Sequence, residues 1–325
     1  MSAPAQLTAV LEAGGPELSR QLHRTEARLS EVAEGHGAEL ARHASGTLAA
    51  GGKRLRPVLV FLSGGAADGL LPAAVAVELL HMATLVHDDV LDQAALRRGR
   101  ATVFAGGGRR AATATGDLLF SRAFAELAAT GQEAAVSALS TASSALARGE
   151  LMQRADAWSD HVPPERYLER CELKTASLFS EACRLGALLG EAGAGAEAAL
   201  AGFGRRIGLA FQILDDVLDV SGPVERTGKQ RGADLLDGTV TLPLIVARAR
   251  DSELRAMDLR SLVTEPAQAA AVCDRIAMSG ALGVAREEAL HQVAEAKAAL
   301  SGVELPERRR RALNLLADGV VERYA

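Results

Sequence analysis

Aromatic side chains are scarce in this chain, at 3% of 325 residues with one Trp and two Tyr. Sandwiches and barrels draw heavily on aromatic and β-branched residues, so a composition led by Ala, Leu and Gly argues against them and for closely packed helices. Cysteine is limited to Cys171, Cys183 and Cys273, an odd number without metal-ligand spacing. That removes a disulfide framework and a zinc site, and it fits a reducing compartment such as the cytoplasm. Positive charge is not in surplus, because the formal net charge is −5, and no general case for nucleic-acid binding follows. The opening residues, MSAPAQLTAVLEAGG, lack a basic segment followed by an apolar one, so no secretion signal is expected there. No uninterrupted apolar stretch reaches membrane-spanning length, and no transmembrane segment is expected. Lysine is the most informative scarcity. Of 36 basic residues only Lys53, Lys174, Lys229 and Lys297 are lysines. A chain that uses Arg for generic charge reserves Lys for positions that need a compact point charge.

What the chain has instead is one five-residue word used twice. DDVLD occurs at 88–92 and again at 215–219, each time at the end of an apolar run. On a helix, positions i and i+4 share a face, so Asp88 lies beside Asp92 and Asp215 beside Asp219. Asp89 and Asp216 sit one position round the helix, as further ligands or as support for the ligands. Like charges repel, and carboxylates framed by Leu, Val, Ile and Phe are costly to desolvate without a cation between them. Oxygen ligands with no Cys or His cluster favour magnesium over zinc, and magnesium completes its shell with water and substrate phosphate. The alternative is two acidic helix ends that are merely solvated. Repetition of the same word in matching apolar frames weighs against it.

Several cationic segments fit a phosphorylated substrate. GGKRLRP places Lys53, Arg54 and Arg56 within four residues at the start of an apolar helix, as a diphosphate site or a solvated basic turn. The helix over 72–92 carries His81 and Thr84 on the face of Asp88, His81 being either a substrate contact or a hydrogen-bonded core residue. Arg97 and Arg98 follow the first word directly. Residues 101–112 are glycine-rich without phosphate-loop spacing and are expected to be a flexible connection. Phe120 and Phe124 stack at i,i+4, and a long helix is expected over 132–158, with Glu150 near a bend. Residues 164–190 are expected to form one amphipathic helix with Lys174 and Thr175 in its middle. A buried Lys must be paired, and a bound diphosphate is a suitable partner. After the second acidic helix at 200–220, a Gly-rich stretch containing Lys229 suits a hinged flap. The run RRRR at 308–311 is expected to be a solvated face.

Together these words resemble the trans-isoprenyl diphosphate synthases, the polyprenyl synthetase family, over nearly all of the chain after about residue 45. GGKRLRP, HDDVLD with RRG, GDLLF, KTASLF, FQILDDVLD, TGKQRGADL and TLP stand in the family's order. The resemblance implies an all-α fold, a single helical bundle around a central apolar cavity, with residues 1–325 as one domain and a homodimer as the assembly. It implies Mg2+, three ions per site, with Asp88, Asp92 and Asp215 as main ligands and Asp89, Asp216 and Asp219 supporting. Arg97, Lys174, Thr175, Phe211, Gln212 and Lys229 correspond to residues around an allylic diphosphate. Lys53, Arg56, His81 and Arg98 correspond to those around isopentenyl diphosphate. Thr239 stands near a place where some relatives carry a further Lys, so one phosphate contact differs.

The implied reaction is ionisation of the allylic diphosphate, attack by the isopentenyl double bond and loss of a proton. No Ser/His/Asp or Cys/His nucleophile arrangement is present, and none is needed. A terpene cyclase would not need the second diphosphate site built from Lys53, Arg56 and Arg98, and a non-catalytic partner subunit would be free to lose acidic positions. Product length is set below Asp88. One helical turn rises about 5 Å, close to one isoprene unit. Ala83 and Thr84 hold no aromatic floor at that level, so the tail passes toward Leu80, with Phe124 on a neighbouring helix as a stop. The expectation is a long-chain product, with geranylgeranyl or farnesyl diphosphate as the alternative.

Overall fold

The computed structural model describes residues 3–35, 37–49, 52–97, 99–190, 192, 195–222 and 231–322. Lys229 and Arg98 lie outside them. The chain runs α1 (Ala3–Gly14), α2 (Pro16–Glu34), α3 (Ala38–Ala49), α4 (Leu55–Gly64), α5 (Leu70–Leu91), a two-residue hairpin β1 (Leu96–Arg97) and β2 (Arg100–Ala101), α6 (Val103–Ala128), α7 (Glu133–Asp156) and α8 (Pro164–Cys171). A π-turn (Glu172–Ala176) leads into α9 (Ser177–Leu189) and α10 (Ala196–Ser221). Then follow α11 (Ala233–Leu236), α12 (Leu242–Arg250), α13 (Ser252–Ala256), α14 (Leu259–Leu262), α15 (Pro266–Met278), α16 (Ala281–Ser301) and α17 (Glu307–Glu322). The all-α expectation holds.

α9 is the hub, packed against α4, α5, α7 and α10. Small residues allow its closest crossing, where a Cβ on Gly186 would meet the Val60 carbonyl oxygen at 2.3 Å. The two acidic helices, α5 and α10, both pack on α9 and are held in one frame by it. α6 covers α5, α16 covers α10, and α17 closes the ends by packing on α1. The buried apolar side chains form one contiguous cluster.

Four expectations are corrected. α5 is long and apolar enough to cross a bilayer by length and composition, although most of it is buried within the bundle. The helix expected over 164–190 is broken by the π-turn. Residues 103–112 are helical, because Thr102 Oγ1 accepts the Ala105 amide at 3.0 Å and starts α6, and Gly108 absorbs a kink at φ 72°. The Arg run is only partly solvated: Arg310 donates to the carbonyls of Leu300 and Val303, satisfying the end of α16, and Arg309 reaches the Ser63 carbonyl at 3.4 Å.

Candidate active site

The first acidic word ends α5. Asp88 is half-buried and Asp92 caps the helix, its amide donating to the Asp88 carbonyl at 2.8 Å. Burial pushes the Asp88 carboxyl up to about 6, against the opposing charge of Lys174 and with Glu150 and Asp92 adding to the rise. A carboxylate so short of solvation has an incentive to take a cation. Asp89, 4% exposed, is ion-paired with Arg97 Nε at 2.8 Å. The Arg97 guanidinium is thus held beside the acidic word by Asp89.

The second word lies on the last turns of α10. Asp215 is half-buried, and Asp216, 4% exposed, is fully engaged: Tyr167 Oη donates to Oδ2 and Gln212 Nε2 to Oδ1, each at 2.7 Å. Burial, reinforced by the charge of Asp234, pushes Asp216 up to about 8 in spite of these donors. Asp219 accepts the amides of Ala233 at 3.1 Å and Asp234 at 3.3 Å, so its carboxylate anchors the start of α11.

Between the two words stands the π-turn. Such bulges are frequent at functional positions. Lys174 Nζ donates to Glu150 and its charge reaches Asp88. Thr175 Oγ1 donates to Gln212 Oε1 at 2.7 Å, and Gln212 continues to Asp216. The turn fits because its neighbours have no side chain in the way. A Cβ on Gly149 of α7 would lie 2.6 Å from the Lys174 amide nitrogen, and one on Gly208 of α10 would lie 2.5 Å from the Ala176 Cα.

The basic segment is split by role. Arg54, at φ 49°, is a structural residue that binds Glu26 of α2 at 2.5 Å and the buried Glu78 of α5 at 2.7 Å. Arg56 lies over the Phe179 ring, 4.6 Å from its centroid, and Phe179 in turn contacts Phe211 at 5.6 Å. This stack carries the basic segment to the residue before Gln212. Lys53 is half-buried beside it in sequence. His81 lines a cavity of about 450 Å3 together with Arg97, Asp89, Arg42, His43 and Arg100.

At the ruler positions, Ala83 and Leu80 are 0% exposed, whereas Thr84 is half-buried and donates to the His81 carbonyl at 2.8 Å. Phe124 stacks on Phe120 at 5.3 Å and lines a crevice of about 1080 Å3 between α6 and α7, which reaches Leu173.

Sequence reasoning missed Glu150, Arg154 and Tyr167. Arg154 spans Asp92 at 2.5 Å and Glu150 at 2.9 Å. The i,i+4 spacing of Glu150 and Arg154 was a visible signal for their pairing, but not for Asp92. Among the described residues, no three Asp, Glu, His or Cys side chains converge on a ready metal site. The hard oxygen donors of Asp88, Asp92 and Asp215 still fit a magnesium ion that takes one or two carboxylates and completes its shell with water and phosphate.

The profile of the Polyprenyl synthetase family matches residues 38–278. The chain is 40% identical over 269 residues to heptaprenyl diphosphate synthase component 2 of Geobacillus stearothermophilus, covering 82% of this chain and 84% of that one. It is 38% identical over 230 residues to geranylgeranyl diphosphate synthase of Methanosarcina mazei, covering 68% and 71%. The crystal structure of a Caulobacter crescentus polyprenyl synthase complexed with calcium and isoprenyl diphosphate superposes with a TM-score of 0.88 at 34% identity, covering 99% and 98%. By its matched length, its fold and the two acidic words joined through one π-turn, the chain belongs to the polyprenyl synthetase family.

Proposed function

We propose that the protein is an all-trans polyprenyl diphosphate synthase that condenses isopentenyl diphosphate with an allylic diphosphate to give a long-chain product. The observation that carries this reading is the placement of Lys174 and Thr175, adjacent in the chain, toward the two acidic helices. Asp88, Asp92 and Asp215 would hold Mg2+, three ions being the number taken from the resemblance, and bound magnesium would supply charge stabilisation for the departing pyrophosphate. Lys174 and Arg97 add positive charge at the same place, and Asp89 keeps Arg97 oriented. Asp216, held by Tyr167 and Gln212, fixes the second acidic helix turn so that Asp215 faces the substrate. Lys53 and Arg56 hold the isopentenyl diphosphate, with Arg56 aimed by its ring contact. His81, on α5 beside Asp89 and Arg97, is assigned to the same substrate by the resemblance. The allylic cation forms against apolar walls that exclude water, the isopentenyl double bond attacks it, and the released pyrophosphate accepts the proton.

A heptaprenyl relative and half-open Thr84 below Asp88 support a product of roughly six to ten isoprene units by the one-unit-per-turn estimate. The Methanosarcina relative supports geranylgeranyl diphosphate as the second reading. We read the chain as one catalytic unit that acts as a homodimer in the cytoplasm. Its single buried cluster supports one unit, its free, buried cysteines support the cytoplasm, and the homodimer is taken from the resemblance. Incubation with labelled isopentenyl diphosphate, magnesium and each allylic primer, followed by chromatography, tests the activity. Chains of six or more units are expected. Cyclic hydrocarbon, or no condensation with any primer, would overturn the reading. Light scattering tests the assembly, with twice the chain mass expected.

A further inference from the structure

We propose that Glu150 is a positioning residue that competes with the substrate diphosphate for Lys174 and Arg154. It parks these cations on carboxylates until phosphate arrives and takes them back when pyrophosphate leaves. The proposal rests on the reading of the site as a diphosphate site and deepens it.

Glu150 belongs to neither acidic word, yet it joins the first word to the π-turn. One oxygen accepts from Lys174 Nζ, and the other accepts from Arg154 Nε at 2.9 Å. The far end of Arg154 reaches Asp92 Oδ1 at 2.5 Å. A line of alternating charge therefore runs Asp92, Arg154, Glu150, Lys174, and the charge of Lys174 reaches on to Asp88. The contact is built into the backbone, since Gly149, the residue before Glu150, is where α7 touches the Lys174 main chain.

A carboxylate at the mouth of a diphosphate site repels the ligand, so its presence there calls for a reason. Its pairs also give it one. Lys174 and Arg154 each have a limited number of donors, and donors engaged by Glu150 must be released before a phosphate oxygen can take them. Diphosphate affinity is thus the gross attraction minus the cost of breaking the Glu150 pairs. A strut that only ties α7 to the π-turn would behave in the opposite way, because its loss would disorder Lys174 and weaken binding.

The test is calorimetric titration of the full-length, magnesium-loaded protein with inorganic pyrophosphate, for wild type, Glu150→Gln, Glu150→Met and Glu150→Asp, with Tm measured on each. The two uncharged variants are expected to bind pyrophosphate about threefold or more tighter. Glu150→Asp is expected to stay near wild type. In turnover the uncharged variants should show a lower KM for the allylic diphosphate together with a lower kcat, as product release slows. Equal or weaker pyrophosphate binding by whichever uncharged variant folds overturns the proposal. Failure of both to fold overturns it too, since the carboxylate would then be a structural strut. Absence of pyrophosphate binding by magnesium-loaded wild type would instead overturn the underlying diphosphate reading.

Discussion

A carboxylate pushed up to about 6 by burial, as Asp88 is, regains its charge most readily beside a cation. Replacing Asp88 or Asp215 with Ala is therefore expected to lower turnover by more than about tenfold at saturating magnesium, in the range typical for a lost electrostatic contact to a leaving group. Steady-state kinetics check this, and retention of a tenth or more of wild-type turnover by both variants would remove these residues from the site. Lys174→Arg keeps the charge but replaces a point donor with a planar fork in a seat shaped by Gly149 and Glu150. Its kcat is expected to fall about tenfold by the same electrostatic reasoning, and near-normal kinetics would mean that only the charge counts. Titration gives a further prediction. The folded-state values of Asp88 and Asp216, about 6 and about 8, lie above the ordinary value of 3.8, so the unfolded chain releases these protons first. Stability of the metal-free protein is full below the ordinary value and is lost as pH rises through the two folded values. Thermal melts should show Tm declining across that window. Asp216→Asn should flatten its upper part, and an unchanged slope would place the titration elsewhere.

At the scale of elements, the π-turn carries the most consequence. In the π-turn that interrupts the α8–α9 line, Lys174 faces α7 and the adjacent Thr175 faces α10. The bulge survives because α7 and α10 present Gly149 and Gly208 to it. Gly149→Ala puts a methyl group 2.6 Å from the Lys174 amide nitrogen. It is expected to cost about 1 to 3 kcal/mol, the usual penalty of overpacking, and to lower activity. Gly202→Ala, on α10 where a Cβ meets nothing within 4 Å, is expected to stabilise by up to about 1 kcal/mol through helix propensity. Denaturant melts of the pair separate the two effects. Equal, mild shifts would mean that the α7 contact is loose.

At the scale of the whole molecule, packing decides which ruler position can report on product length. Ala83 is 0% exposed while Thr84 is half-buried. A Phe at Ala83 would have to force its packed neighbours apart, so Ala83→Phe is expected to lower Tm as well as shorten the product. Thr84→Phe places the ring on the open side one turn before Asp88. It is expected to truncate the product to about three or four units, by the rise of one turn per unit, with Tm retained. Chromatography of dephosphorylated products checks both. An unchanged length distribution in Thr84→Phe would move the channel off this face of α5.

The sequence alone carried the helical class, the two acidic words and the shared face of Asp88 and Asp92, because helical periodicity places residues four apart together whatever surrounds them. It also singled out Lys174, through the scarcity of Lys. It did not carry the partner of Lys174. Glu150 is 24 residues away, and no local pattern links the two. Tyr167 and Asp216 are 49 apart and meet only because α8 and α10 pack across the π-turn. Arg54 and Arg56 look equivalent in GGKRLRP, and only the buried Glu78 of α5 makes one a structural anchor while Phe179 of α9 holds the other. Local pattern settles which face of a helix a side chain occupies. Which charge it meets across that face depends on how distant helices are packed, and here the π-turn and two glycines decided it.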